Sequence, residues 1–471
     1  MKIEQIYTGC LAHAAYYLES NGEAAIFDPL REVKPYIERA NKDGAFIKYI
    51  FETHFHADFV SGHIDLARKA NAQIVYGPTA MPNFKAIIAT DNEIFSVGNC
   101  KVKAIHTPGH TLESTCYLII DEKGNEHALV TGDTLFIGDV GRPDLAQHII
   151  ADLTQDKLAA MLFDSLRNKI MPLSNQLIIF PNHGAGSACG KMMSKETLDT
   201  LGNQKKYNYA LRANMTKDEF VNEVLSGLVP PPPYFPKNVL MNINGYESID
   251  SVLEKGMNAI KIAAFELLSI QDDVLVLDTR DPNEFSKGFV PESINIGLDS
   301  NFAMWVGELI ADLNQKILLV TDKGREEETI TRLARVGYDN AIGYLDGGFN
   351  IWKNTGHEFN CIERITALEF EQLHKTKDYL VIDVRKKSEY NAEHLVNAIN
   401  IPLNSLNNHL SEIPKNKPFV LHCAGGYRSM IAASILKQRG WNNMLDVEGG
   451  FTEIAKTSLA KTKYIAPVSL L

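Results

Sequence analysis

No Cys-x-x-Cys pair occurs in this chain, and its six cysteines (Cys10, Cys100, Cys116, Cys189, Cys361 and Cys423) are scattered. That spacing excludes a disulfide framework and a paired-thiol zinc or redox motif. It fits a reducing cytoplasm, where a cysteine matters for its reactivity. No apolar run approaches the roughly 20 residues that span a bilayer, so no membrane association is expected. The start, Met1-Lys2-Ile3-Glu4-Gln5, has no charged segment followed by an apolar core, and no signal peptide is read there. Positive charge is in deficit: 47 Lys and Arg stand against 58 Asp and Glu, a net charge of -11. Phosphate-backbone recognition needs clustered cations, so no nucleic-acid partner is expected. What remains is an ordinary globular composition, 45% hydrophobic and 22% charged over 471 residues. That length suggests about three domains.

Histidine is concentrated where strands end. Residues 47–52 read as a buried strand, and residues 61–70 read as a helix with Ser61 as its N-cap. Between them lie His54, His56, Asp58 and His63 on a loop held by a rigid strand. Downstream, a half-buried strand ends in a Pro-Gly turn that presents His110. The strand Ala128-Leu129-Val130-Thr131-Gly132 ends in Asp133, and Leu177-Ile178-Ile179-Phe180 ends in Pro181-Asn182-His183. Each ligand alone has a dull explanation as a turn residue. Together, four strands each ending in His or Asp point to one metal site.

This set resembles the metallo-β-lactamase fold, over about residues 1–240. The motifs are His-x-His-x-Asp at His54, His56 and Asp58, then His-Thr-Pro-Gly-His ending at His110, Thr-Gly-Asp at Asp133, and Pro-Asn-His-Gly around His183. The resemblance implies an αββα sandwich with metal at the strand ends along one edge. Two-metal hydrolases of this fold read His-x-His-x-Asp-His. Here the last position is Phe59, which ligates nothing and leaves Asp58 without that partner. Similarity to the persulfide dioxygenase branch implies a mononuclear site on His54, His110 and Asp133. Two imidazoles and a carboxylate leave positions open and suit Fe(II), which must bind both a substrate sulfur and O2. His56, Asp58 and His183 then orient ligands or bind water; the alternative is that they ligate in a two-metal site. Arg142, in a Gly-Arg-x-Asp segment, is expected to brace its loop by pairing with Asp144. Cys189 reads equally as a thiol that accepts or relays sulfur and as a small buried residue. Thr216 should cap the helix of residues 217–225, and Pro230 to Pro236 should form an extended strap.

The rest is an internal repeat. Val274-Leu275-Val276-Leu277-Asp278-Thr279-Arg280 reappears as Tyr379-Leu380-Val381-Ile382-Asp383-Val384-Arg385, and Asp346-Gly347-Gly348-Phe349 as Glu448-Gly449-Gly450-Phe451. Repetition at a domain-sized period means duplicated domains, each a parallel α/β unit. In the second copy a strand ends in Cys423, followed by Ala424, Gly425, Gly426, Tyr427, Arg428 and Ser429 and then a helix. Glycines let the backbone N–H groups curl toward the sulfur; the helix N-terminus and Arg428 add positive potential. Cys-x-x-Gly-x-Arg resembles the rhodanese active-site loop, over about residues 360–460. The first copy, about residues 255–357, has Thr321 or Asp322 in the cysteine's place and a loop that reads as shorter. It reads as a catalytically dead, rhodanese-like spacer.

The expected architecture is α/β throughout: an N-terminal αββα sandwich (1–240), an inactive rhodanese-like domain (255–357) and an active one (361–460). The resemblance implies a persulfide dioxygenase–sulfurtransferase with one Fe(II). Its partners would be a small thiol persulfide, O2, and sulfite or thiosulfate. A homo-oligomer is expected, as one way to bring Cys423 near a metal edge. The competing reading is a zinc thioester hydrolase of the glyoxalase II type with an accessory rhodanese.

Overall fold

In the computed structural model, which describes residues 1–145, 153–377 and 379–462, side chains along the strands alternate between separate cores. In β8 (Cys100–His106), β9 (Thr115–Ile120) and β10 (Glu126–Gly132), Val102, Ala104, Tyr117, Ile119, Ala128 and Val130 enter one cluster. Ile105, Cys116, Leu118 and Leu129 enter another. This is the period of two that a sheet covered on both faces demands.

The chain divides into two units, Met1–Val252 with Thr331–Asp339, and Leu253–Ile330 with Asn340–Leu471. The first holds two six-stranded sheets. One runs in chain order through β1 (Lys2–Thr8), β2 (His13–Ser20), β3 (Glu23–Phe27), β4 (Phe46–Phe51), β5 (Gln73–Tyr76) and β6 (Ile87–Ile88). The other is ordered β12 (Asp199–Thr200), β11 (Ile178–Pro181), β10, β9, β8, β7 (Ile94–Val97). Tyr16, Phe27 and Phe51 of the first sheet share a core with Tyr117 and Phe180 of the second. Each such buried aromatic or aliphatic side chain contributes roughly 1.5–3 kcal/mol. On the second sheet's outer face, Leu162 and Leu166 meet Phe220 and Val224 of the helix Lys217–Leu225. Helices Lys34–Lys42 and His63–Ala70 lie against β4. The result is a helix–sheet–sheet–helix sandwich.

Thr216 does cap the helix Lys217–Leu225, in a full capping box with Glu219. Two local expectations fail. Ser61 does not cap the next helix, which starts at His63 with Gly62 as its N-cap. Its side chain is turned inward, where the hydroxyl donates to the buried Glu52 Oε1 at 2.5 Å. The proline segment is not extended throughout. Phe235 and Pro236 open the helix Phe235–Asn244, where proline's missing N–H costs nothing in the first turn.

In the second unit two five-stranded parallel sheets have the same order. The first is β13 (Ala259–Ile260), β17 (Ala341–Leu345), β16 (Lys316–Val320), β14 (Val274–Asp278), β15 (Ile294–Asn295). The second is β18 (Arg364–Ile365), β22 (Met444–Val447), β21 (Phe419–His422), β19 (Leu380–Asp383), β20 (Ile399–Asn400). The repeated Asp-x-Arg explains itself. Asp278 and Asp383 each accept from the backbone N–H and the guanidinium of the arginine two residues on, Arg280 and Arg385. Asn295 and Asn400 then donate to the carbonyls of the same Asp and Arg. No helix among the described residues is long and apolar enough to cross a membrane.

Candidate metal centre and sulfur-transfer loop

β4, β8, β10 and β11 deliver their terminal residues to one edge of the sandwich. His54, His110 and Asp133, all buried, place one ligand atom each within 4.8 Å of one another. Asp133 Oδ2 lies 3.5 Å from His110 Nε2 and 3.9 Å from His54 Nε2. Asp133 Oδ1 faces His183 Nε2 at 3.6 Å. Both Asp133 oxygens and His183 Nε2 are sealed from solvent without a hydrogen-bond partner among the described residues. A buried carboxylate left unpaired is expensive, and a cation bound between these atoms removes that cost.

The protein also fixes which nitrogen each imidazole offers. Thr53 donates its hydroxyl to Asp28 Oδ1, so its oxygen accepts from His54 Nδ1 at 2.9 Å and leaves Nε2 bare. His110 Nδ1 donates to the Arg142 carbonyl at 2.8 Å, and His183 Nδ1 to the Ala12 carbonyl at 3.3 Å. Tying one ring nitrogen to an acceptor orients the other as a metal ligand. Burial, with the neighbouring histidines, holds His54 well below its ordinary pKa, so its lone pair is available. Gly141 makes the His110 anchor possible, since a Cβ there would lie 2.0 Å from the Asp133 carbonyl oxygen.

His56 stands apart. Its Nε2 meets Asp28 Oδ1 at 3.0 Å and Glu52 Oε2 at 3.4 Å, in a second buried group. Burial opposes its charge, but these two carboxylates overcome that and hold its pKa well above the ordinary value. Its Nδ1 is buried and has no hydrogen-bond partner among the described residues. Asp28, which the sequence does not flag, also accepts from the Thr53 N–H and from Asn182. Asn242 braces the loop from the other side, donating to the carbonyls of His56 and Phe59. The His63 ring lies against Tyr76, Phe84 and Tyr246, with its Nδ1 3.5 Å from Glu52 Oε1.

Phe59 does not leave Asp58 alone. Asp58, His183 and Cys189 form a third cluster, with Asp58 Oδ2 at 3.4 Å from His183 Nε2. Burial, reinforced by Asp58 and Asp133, pushes the Cys189 thiol well up. Arg142 chelates Asp144 through Nε and Nη2, both at 2.7 Å.

In the second unit Cys423 follows β21, and its Sγ accepts from the Gly426 N–H at 3.1 Å. The loop carries Ala424 and Gly425 to Gly426, the N-cap of the helix Tyr427–Gln438, which includes Ser429. Arg428 makes a bidentate pair with Glu389 at 2.6 and 2.8 Å, so a carboxylate neutralises much of the charge expected at the sulfur. Strand register aligns the two copies: Asp278 pairs with Val320 as Asp383 pairs with His422. Thr321 therefore occupies the place of Cys423, and its hydroxyl is engaged by Thr279 and Thr329. The first copy's loop is not the shorter one, since residues 321–325 separate strand from helix there against 423–426 in the second copy. Gly426 has φ +98°, and a Cβ on it would lie 3.2 Å from Arg364 Nη2. The left-handed backbone alone costs about 1–2 kcal/mol for an L side chain. Gly426→Ala is expected to cut sulfurtransferase turnover about tenfold while thermal unfolding falls by only a few degrees. Steady-state kinetics beside a melting curve will check this.

Residues 8–169 match the metallo-beta-lactamase superfamily, and residues 263–355 and 366–457 each match the rhodanese-like domain. A metallo-beta-lactamase from Staphylococcus aureus is 32% identical and superposes with a TM-score of 0.63, covering 73% of this chain and 98% of its own. A probable hydroxyacylglutathione hydrolase of Schizosaccharomyces pombe is 29% identical over 220 residues, 45% of this chain and 80% of its own length. An adenylyltransferase and sulfurtransferase of Ogataea parapolymorpha is 37% identical over 98 residues, 20% of this chain and 25% of its own. This chain belongs to the metallo-beta-lactamase superfamily, with two rhodanese-like domains joined to its metal-site domain.

Proposed function

We propose that the first unit is a non-haem Fe(II) persulfide dioxygenase and that Cys423 is the nucleophile of a coupled sulfurtransferase, together a cytoplasmic route for sulfide detoxification. The observation that carries this reading is the presence, on one chain, of a two-histidine, one-carboxylate trio and an intact cysteine loop. Both act on sulfane sulfur. One thiol persulfide, one O2 and one water would give thiol, sulfite and two protons. His54, His110 and Asp133 would hold the iron, which supplies redox chemistry with O2 when bound. Thr53 and the Arg142 carbonyl fix the two imidazoles, and Asp133 supplies the anionic ligand. Asp58 and His183, with unpartnered atoms facing the same edge, are placed to bind water or hold a proton. Phe59, fully buried between His13 and His56, keeps that side of the centre dry. At Cys423 the thiolate attacks the sulfane sulfur of thiosulfate, and the sulfur–sulfur bond breaks to release sulfite. The resulting cysteine persulfide passes its outer sulfur to a nucleophile. In reverse, the persulfide and sulfite give thiosulfate.

The second reading, a zinc thioester hydrolase, is favoured by the Asp58–His183–Cys189 group, whose unpartnered Asp58 Oδ1 and His183 Nε2 are donors for a second metal. The hydrolase relative points the same way. The test is O2 uptake by iron-loaded protein on adding glutathione persulfide or coenzyme A persulfide, with sulfite and thiosulfate assayed together. The expected result is uptake matched by sulfur oxyanion. Absence of uptake despite bound iron, with hydrolysis of a hydroxyacylglutathione thioester by the zinc form, would establish the hydrolase instead.

A further inference from the structure

The silent rhodanese-like copy touches the active loop of its neighbour at several points. Tyr427, the residue after Gly426, donates its hydroxyl to the Gly297 carbonyl at 2.7 Å. Ser434, on the same helix, accepts from the Asn295 N–H at 3.0 Å. A third contact involves Arg364 on the edge strand β18. Its Nε donates to the buried Asp446 Oδ2 at 2.9 Å, and its Nη1 donates to Asn283 Oδ1 of the silent copy. Asn283 is itself fixed by Asp281, whose side chain accepts from its backbone N–H at 2.8 Å. Two edges of the guanidinium are thus spent on holding it still. The third, Nη2, has no protein partner among the described residues and lies 3.2 Å from the position of a Cβ on Gly426. The Gly426 N–H is the group that donates to the Cys423 sulfur. The loop's own arginine, Arg428, is meanwhile occupied by Glu389.

We propose that Arg364 is the oxyanion-recognising cation of the Cys423 site, and that the silent copy serves to aim it. Its free Nη2 would bind the sulfonate oxygens of thiosulfate, or sulfite in the reverse direction. Only a guanidinium can give one edge to Asp446, another to Asn283 and keep a third for an anion. The inference rests on the sulfurtransferase reading of Cys423, so its test includes a readout that needs no turnover. Alkylation of Cys423 by anionic iodoacetate is to be compared with alkylation by neutral iodoacetamide in the full chain.

In Arg364→Gln the iodoacetate-to-iodoacetamide rate ratio is expected to fall roughly tenfold, because a charged hydrogen bond to the anion is lost. KM for thiosulfate should rise by a similar factor with kcat nearly unchanged. Removing Arg364 also strips the buried Asp446 of its partner, so Asn283→Ala provides a variant that keeps that pair. It should lower the ratio about threefold by releasing the guanidinium, and Arg364→Lys should restore the ratio only in part. A ratio lowered at least threefold in folded Arg364→Gln, with the iodoacetamide rate intact, supports the assignment. A smaller change, or an equal loss of both rates, overturns it. Absence of thiosulfate turnover in the parent protein would count against the sulfurtransferase reading, while the alkylation ratio would still decide the role of Arg364.

Discussion

Asp133→Asn is expected to abolish metal binding and all metal-dependent turnover while making the metal-free protein more stable. The two effects have one cause. Asp133 is buried with both oxygens unpartnered among the described residues, Oδ2 facing His54 and His110 and Oδ1 facing His183. Without a cation this is an uncompensated charge in a low-dielectric site, which destabilises the fold by several kcal/mol. With a cation it is the anionic member of the ligand trio. Asparagine keeps the shape and removes the charge, so it relieves the apo state and weakens the holo state. Metal content should fall at least about tenfold and turnover about a thousandfold. Chelation should lower the melting temperature of the parent protein, since a metal bound only by the native state stabilises it through mass action. The same chelation should leave Asp133→Asn unmoved, with a melting point at or above that of the stripped parent. Metal analysis and paired melting curves with and without chelator will check this. A variant that keeps its full metal complement would remove Asp133 from the ligand set.

The candidate metal-site residues were legible because strand ends are legible. His54, His110, Asp133 and His183 each follow an apolar run of strand length, and few structural roles place His or Asp at four such ends. The groups that make them work were not. Asp28, Asn182 and Asn242 reach the histidine loop from far along the chain, and each sits in a local sequence that any turn or helix would tolerate. Gly141 betrays nothing in sequence; its need comes from the approach of the Asp133 carbonyl and the His110 ring. Ser61 shows the opposite failure. A serine before a helix is a good cap by propensity, but here the helix starts later, at His63, and the Ser61 hydroxyl is turned to donate to the buried Glu52 carboxylate. Cys189 was open between two roles, and burial beside Asp58 and Asp133 defines its surroundings without making it a reactive thiolate. In the repeat, Asp-x-Arg and Gly-Gly-Phe marked the duplication because they are local. Glu389 and Arg364 escaped notice because their partners lie 39 and 82 residues away.

Cys423→Ser is expected to eliminate sulfur transfer and leave the metal chemistry intact. A serine oxygen fits the position but cannot form a persulfide, and its hydroxyl is far too weak an acid to attack sulfane sulfur unaided. The chain already contains a version of this substitution. Thr321 stands at the register-equivalent position of the first copy, where its hydroxyl is absorbed by Thr279 and Thr329. In the second copy the Gly426 N–H points at the sulfur, which is buried and bonds no side chain among the described residues, as a group kept for reaction should be. Cyanide-dependent thiocyanate formation from thiosulfate should fall by at least about a thousandfold. Metal content should stay within about twofold, because the candidate ligand trio belongs to the other unit. On the proposed dioxygenase reading, O2 uptake with a small thiol persulfide should stay within the same range and the products should shift from thiosulfate toward free sulfite. Thiocyanate formed by the variant at the parent rate would show that another group carries the sulfur. Loss of O2 uptake together with transfer would show that the two chemistries share a step rather than a product.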